Sequence, residues 1–213
     1  PLYFGVSRGP DSLRGGAAWL LLGRTKHGWP RRGRSMVSRI VIFGTESTGK
    51  TTLAQRLATH FREPWSAEYV REFWDANAGK ITAGDLDAIA RGQIANEEAA
   101  AAKARRVVFH DTDLLTCVLW DDLLFPGACP PWVRALAEER SRREGAYLLC
   151  DADVPFAPDP QRCFRDDAAR ERVRQLFRTE LVTRELPIME IRGDWPERER
   201  AAIAAVERVL RGT

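Results

Sequence analysis

Apolar residues recur along this chain in two rhythms. Ile40, Val41, Ile42 and Phe43 form a continuous run, as do the centres of "RVVFHD" and "YLLCD", and such runs read as strands buried on both faces of a sheet. Leu53, Leu57, Ala58 and Phe61 recur instead at helical spacing. Followed along the chain, the pattern predicts strands at 39–43, 66–69, 106–110, 147–150 and 188–191. It predicts helices at 50–61, 84–104, 112–122, 131–142, 167–183 and 197–211. This alternation predicts an α/β fold, a parallel sheet covered by helices on both faces. Ligands of such sheets collect at the carboxyl ends of the strands.

Composition changes the picture in two places. With 213 residues and 44% apolar content the chain can bury one well-packed core, assigned to 36–213. Cys117, Cys129, Cys150 and Cys163 form no C-x-x-C pair and have no companion His at zinc spacing, so they read as buried reduced thiols suited to a cytoplasmic setting. The net charge of +3 is unevenly spread, because residues 1–35 hold seven Lys or Arg against one acid, Asp11. The basic balance therefore belongs to the front segment and gives no case for nucleic acid binding by the core. That segment lacks any sustained period before Met36 and is expected outside the fold, as an irregular basic leader or as sequence upstream of a start at Met36. An organellar transit peptide would fit its arginines but more often shows a Ser-rich amphipathic helix. Its one apolar run, Ala17 to Leu22, is too short for a membrane span.

The first strand runs into "GTESTGKTT". Gly44, four residues, then Gly49, Lys50 and Thr51 fit G-x-x-x-x-G-K-[ST], the phosphate-binding loop, in its required place between a strand and a helix. The glycines let backbone N–H groups of the loop, through Ser47 and Thr48, approach phosphate oxygens. Lys50 would reach the β- and γ-phosphates, the Thr51 hydroxyl would ligate Mg²⁺, and the helix through Thr51 and Thr52 would point its positive end at the anion.

Four other strand ends carry candidate chemistry. "HDTD" offers Asp111 for the metal shell, while Asp113 has two readings, helix N-cap or substrate contact, and His110 reads as a satisfied strand residue. In "EYVREF", Glu68 and Arg71 form either a local ion pair or part of an acceptor site. The Pro-interrupted stretch 151–167 has the length of a lid, and Arg162 and Arg165 within it could stabilise a transferring phosphoryl group. In "IRGDWPERER", Gly193 suits a tight turn and Asp194 a helix cap, with adenine contact the weaker reading. A GTPase would need an N-K-x-D-type guanine reader, and none occurs.

Together "GTESTGKTTLAQRLA", "EYVREF", "ARGQIANEEAAAAKA", "HDTDLLT" and "DADVPFAPDPQRCFRDD" resemble the NadR-type ribosylnicotinamide kinase domain, over about residues 38–211. The resemblance implies a P-loop NTPase three-layer fold of the nucleoside and nucleotide kinase kind, with a five-stranded parallel sheet and the P-loop strand near its middle. It implies ATP and Mg²⁺ as cofactors, a nucleoside-like acceptor, and transfer of phosphate to nicotinamide riboside to give nicotinamide mononucleotide. It maps Gly44, Gly49, Lys50, Thr51 and Thr52 to phosphates and Mg²⁺, Asp111 and Asp113 to metal and acceptor, and Glu68, Tyr69 and Arg71 to the acceptor pocket. Among Tyr69, Trp74 and Trp120, Tyr69 is the chosen stacking partner for a flat ring, and either Asp113 or Glu68 the proton acceptor. The family's lid tends to carry an Asp-Gly step before its arginine, where this chain has Asp159 and Pro160. Because 35 front residues could hold neither an adenylyltransferase nor a repressor domain, the expectation is a kinase acting alone. The competing expectations are a kinase for another nucleoside or vitamin-like alcohol, and a non-catalytic ATP-binding regulator.

Overall fold

The computed structural model describes residues 37–157, 161–164 and 166–212. The front segment, Asp159, Pro160 and the lid candidate Arg165 lie outside the described residues. Five strands, β1 (Ser38–Phe43), β2 (Trp65–Ser66), β3 (Val107–Asp111), β4 (Ala146–Cys150) and β5 (Ile188–Ile191), form one sheet in the order β2-β3-β1-β4-β5. Every pairing is parallel, and the register aligns Ile40 with Phe109 on one side of β1 and with Ala146 on the other.

The continuous apolar runs are explained by burial on both faces. Along β1, Ile40 and Ile42 face one core with Leu53 and Leu57 of α1 (Lys50–Phe61) and Ala202, Val206 and Val209 of α7 (Trp195–Gly212). Val41 and Phe43 face the other, with Leu115 and Leu119 of α4 (Leu114–Leu124) and Phe177 and Leu181 of α6 (Asp167–Thr183). Successive strand side chains point to opposite faces, so a strand with helices on both sides must be apolar throughout. A smaller cluster joins α3 (Leu86–Ala101) and α4 to α5 (Pro131–Ser141) through Ala90, Leu114, Val118 and Val133.

Three predicted boundaries move, each for a local reason. The strand expected at 66–69 is only Trp65–Ser66, and Tyr69–Ala76 is a helix, α2, that the pattern did not predict. None of its residues is fully buried and none joins the core clusters, so its apolar face is not that of a core helix. The helix expected from 84 begins with a 3-10 turn, Ala83–Asp85, closed by a reciprocal Thr82–Asp85 capping box, before α3 proper. α4 starts at Leu114 because Asp113 caps it.

Candidate active site

The strand order places β1 between strands reached by crossovers in opposite directions, so a crevice opens beyond the carboxyl ends of β1, β3 and β4. The loop 44–49 fills its floor. Gly44 has φ 140°, and a Cβ there would lie 2.9 Å from the Cys150 carbonyl oxygen. Gly49 has φ 80°, and a Cβ there would lie 2.7 Å from Trp195 Cη2. Both glycines are thus required by conformation and by space. Ser47 also has positive φ, 56°. Thr48 Oγ1 and Lys50 Nζ both donate to the Thr45 carbonyl, at 3.0 and 2.8 Å, which keeps the buried ammonium inside the loop. Thr52, in the first turn of α1, is exposed.

Next to the loop, Thr51 Oγ1 donates to Asp111 Oδ2 at 2.5 Å, while Asp111 Oδ1 is buried without a partner. Burial, and then the neighbouring Glu68 carboxylate, push the Asp111 carboxyl up to about 6 against the pull of Lys50. A hydroxyl and a carboxylate oxygen with spare lone pairs beside a phosphate loop fit a hard divalent cation, which commonly takes few protein oxygens and completes its shell with phosphates and water. The described residues contain no cluster of three or more His, Cys, Asp or Glu that could hold a metal ion. Asp111 holds this position as the last residue of β3, opposite Ile42 of β1, and Thr112, a β-branched residue, turns the chain directly after it with φ 67°.

Asp113 resolves to the cap. Its Oδ1 accepts from Thr116 N at 2.9 Å and Oγ1 at 3.0 Å, and its Oδ2 accepts from Tyr147 Oη at 2.8 Å. It is buried and does not line the crevice, so the substrate contact assigned to it is corrected: its lone pairs are already committed inside the protein. His110 is a buried strand residue, its Nδ1 2.8 Å from Ser66 Oγ and its Nε2 buried without a partner, so the expectation of a satisfied histidine holds for one ring nitrogen.

Above the loop, Glu68, Arg71, Trp74 and Trp120 line one pocket together with Glu46, Lys50, Asp121 and Arg162. Its volume, about 130 Å³, is on the scale of a cavity that accepts a six-membered ring. Glu68 and Arg71 are both ion pair, at 3.2 Å, and pocket wall, so the two readings of that motif coexist. Tyr69 is placed elsewhere, a correction to its choice as the stacking residue. Its ring packs so closely on α3 that a Cβ at Gly92 would lie 2.0 Å away, and its N–H donates to Gln93 Oε1. Trp74 and Trp120 supply the aromatic wall instead.

Described residues of the stretch 151–167 pack against the loop. Arg162 donates to Ser47 Oγ at 3.0 Å and to the Ala157 carbonyl, and Ala157 N donates to Ser47 Oγ at 2.8 Å. Asp194 caps α7 by accepting from Glu197 N at 2.8 Å, and Trp195 brings that turn against Gly49. Of the four thiols, Cys163 is exposed and Cys117 half-buried, so the expectation of four buried thiols holds for Cys129 and Cys150.

Residues 39–198 match AAA_28, described as an AAA domain. The chain belongs to this family. Among curated proteins, the AAA_28 domain is 29% identical over 145 residues to the trifunctional NAD biosynthesis/regulator protein NadR of Escherichia coli (strain K12), covering 66% of this chain and 35% of that protein. The protein of the same name from Salmonella typhimurium (strain LT2) matches to the same extent. The chain thus spans about 35% of the length of these relatives. Two crystal structures superimpose with a TM-score of 0.63 over 82% of this chain, a NadR protein in complex with NAD and AMP-PNP at 21% identity and a NadR protein in complex with NR at 22%. They are covered over 49% and 52% of their own chains. The resemblance carried by the motifs is borne out, as is the expected five-stranded parallel P-loop fold. No helix among the described residues is long and apolar enough to cross a membrane.

Several functional side chains of the AAA_28 domain escaped sequence reasoning. Glu46, inside the phosphate loop, accepts from Cys163 N and Phe164 N, both at 2.8 Å, and so ties the lid to the loop. Arg170, on α6, donates to the Ser47 and Val154 carbonyls at 3.0 and 3.2 Å. Arg198, on α7, donates to the carbonyls of Thr48 and Asp151 at 3.2 and 3.0 Å and pairs with Asp153. Both arginines are at most 1% exposed. In sequence they look like the charged faces of helices, and nothing in their spacing separates them from solvated neighbours.

Proposed function

We propose that this chain is an ATP-dependent kinase that transfers the γ-phosphoryl group to the 5′-hydroxyl of nicotinamide riboside, giving nicotinamide mononucleotide. The observation that carries the reading is the single pocket in which Lys50 of the phosphate loop meets Glu68, Arg71 and an aromatic wall under a docked lid. A motor or switch needs no such ring-sized recess beside its phosphates. The NadR relatives and the complex of a NadR protein with NR support the acceptor.

In this mechanism the backbone of residues 44–51 cradles the triphosphate, and Lys50 stabilises the charge that develops on the transferring group. Thr51 and Asp111 would hold Mg²⁺, which would supply neutralisation of phosphate charge there. Trp74 and Trp120 position the acceptor ring, and Glu68 accepts the hydroxyl proton, since Asp113 has its oxygens engaged elsewhere. Arg162, already on Ser47, lies where it can neutralise phosphate charge while the lid excludes water. A cytoplasmic setting belongs to the same proposal.

The test is an ATP-dependent product assay by mass spectrometry on the full chain, with nicotinamide riboside beside a panel of ribo- and deoxyribonucleosides. The expected result is nicotinamide mononucleotide, with the rate cut at least ~100-fold by Lys50→Ala. Phosphorylation of a different nucleoside in preference would replace the acceptor, and nucleotide binding without any phosphorylated product would sink the kinase reading.

A further inference from the structure

The acceptor pocket contains a carboxylate that the phosphoryl-transfer scheme does not use. Asp121, on α4, lines the same pocket as Trp74 and Trp120 and is 7% exposed. Most buried carboxylates are matched by a cation, because an ionised group out of water is costly alone. Here Arg134, the guanidinium whose charge acts on Asp121, is taken by the adjacent Asp122, with bonds of 2.9 and 2.6 Å. The side-chain hydrogen-bond partner of Asp121 is the Cys129 thiol, a weak donor. Burial, reinforced by Asp122, raises the Asp121 carboxyl to about 6 despite Cys129 and Arg134, so at neutral pH it stands largely ionised without a matched counter-charge.

The other cations of the pocket have partners of their own: Lys50 and Arg162 at the phosphate loop, on the Thr45 carbonyl and Ser47 Oγ, and Arg71 on the Glu68 carboxylate. Asp121 is thus a pocket-lining carboxylate whose neighbouring guanidinium is held by Asp122, in a pocket also lined by Trp74 and Trp120. Aromatic faces attract cations through their quadrupole, most strongly when the pair is desolvated. A carboxylate in the same pocket adds to that attraction, gives a neutral ring no such gain and repels an anionic one, so charge becomes the discriminating property.

We propose that Asp121, together with Trp74 and Trp120, makes the pocket select an acceptor whose ring carries a positive charge, with Asp121 as the specificity-determining counter-charge. The inference deepens the kinase reading and rests on it for the role of this pocket as acceptor site. A pyridinium N-riboside has such a ring. Its two-electron-reduced dihydropyridine form keeps the ribose and the carboxamide but is neutral, so the pair isolates charge.

The experiment measures binding of nicotinamide riboside and of its reduced form to the full chain by calorimetry, with ATP-dependent turnover of each followed alongside. The wild type is expected to bind the cationic form roughly tenfold to a hundredfold more tightly, the range of one desolvated charge contact. Asp121→Asn is expected to collapse that ratio towards parity, and Asp121→Glu to keep a ratio well above one. Equal affinities in the wild type, or no binding of either, overturn the proposal, as does a ratio that persists in Asp121→Asn. Should the Asn variant not fold, loss of the ratio in a folded Asp121→Glu protein also overturns it. A charge preference without phosphoryl transfer upholds this inference and sinks the kinase reading, whereas turnover without charge preference does the reverse.

Discussion

The phosphate loop and the acceptor pocket are built on opposite plans. The loop is one contiguous segment held from below by side chains of distant helices, with Arg170 and Arg198 donating to its carbonyls. The pocket has no segment of its own: α2, α3, α4, the loop and the lid each contribute a few side chains. Anion binding by backbone N–H groups tolerates little displacement and is served by a rigid floor. Recognition of a particular ring needs only a few placed side chains, so it is drawn from elements that can shift independently of the sheet. The difference predicts that damage to the loop costs stability and binding together, while damage to the pocket changes affinity with little cost to the fold.

The sharpest attempt to break that contrast is Arg198→Met. It strips three carbonyls, those of Thr48, Asp151 and Gly193, of their donor, and stability should fall by about 3–5 kcal/mol in denaturant unfolding. A loss under about 1 kcal/mol would mean that the floor is not held from below. Gly49→Ala should follow at about 2–3 kcal/mol, since alanine must take positive φ and meet the Trp195 ring. The same variant should lose measurable nucleotide affinity by equilibrium titration. Glu46→Gln connects the two regions. Replacing one carboxylate oxygen with an amide removes an acceptor from the lid, so amide exchange at Cys163 and Phe164 should quicken about fivefold to tenfold. Unchanged exchange would show that the lid is fixed by other contacts.

The smallest effect concerns the wall behind the pocket. Glu97 bonds Gln93 at 3.1 Å and Arg140 at 2.8 Å, yet burial, and then Asp113, hold its carboxyl up at about 7. A carboxyl raised in the folded state contributes stability that is complete below the unfolded value near 4.5 and is lost as pH rises through 7. Between pH 7 and 8 the loss should be a few tenths of a kcal/mol. Thermal unfolding across that interval should show the slope in the wild type and a flatter one in Glu97→Gln.

What the sequence by itself determined is what depends on neighbours along the chain. The buried strands were readable because burial on both faces demands continuous apolar residues, and the phosphate loop because Gly44, Gly49, Lys50 and Thr51 must follow one another to surround an anion. Only the tertiary structure decided among residues of identical local appearance. Asp111 and Asp113 are two positions apart in one motif, but Thr112 turns the chain between them so that one meets Thr51 and the other becomes a cap. Tyr69 and Trp74 share one short helix, and only its packing against Gly92 sends the tyrosine to α3 and leaves the tryptophan on the pocket. Arg170 and Arg198 carry the same charge as the exposed arginines of their helices, and whether such a side chain is solvated or buried against carbonyls depends on where the helix docks. Spacing along a chain encodes which face of an element a residue occupies, whereas the partner that face meets is fixed only when the elements pack.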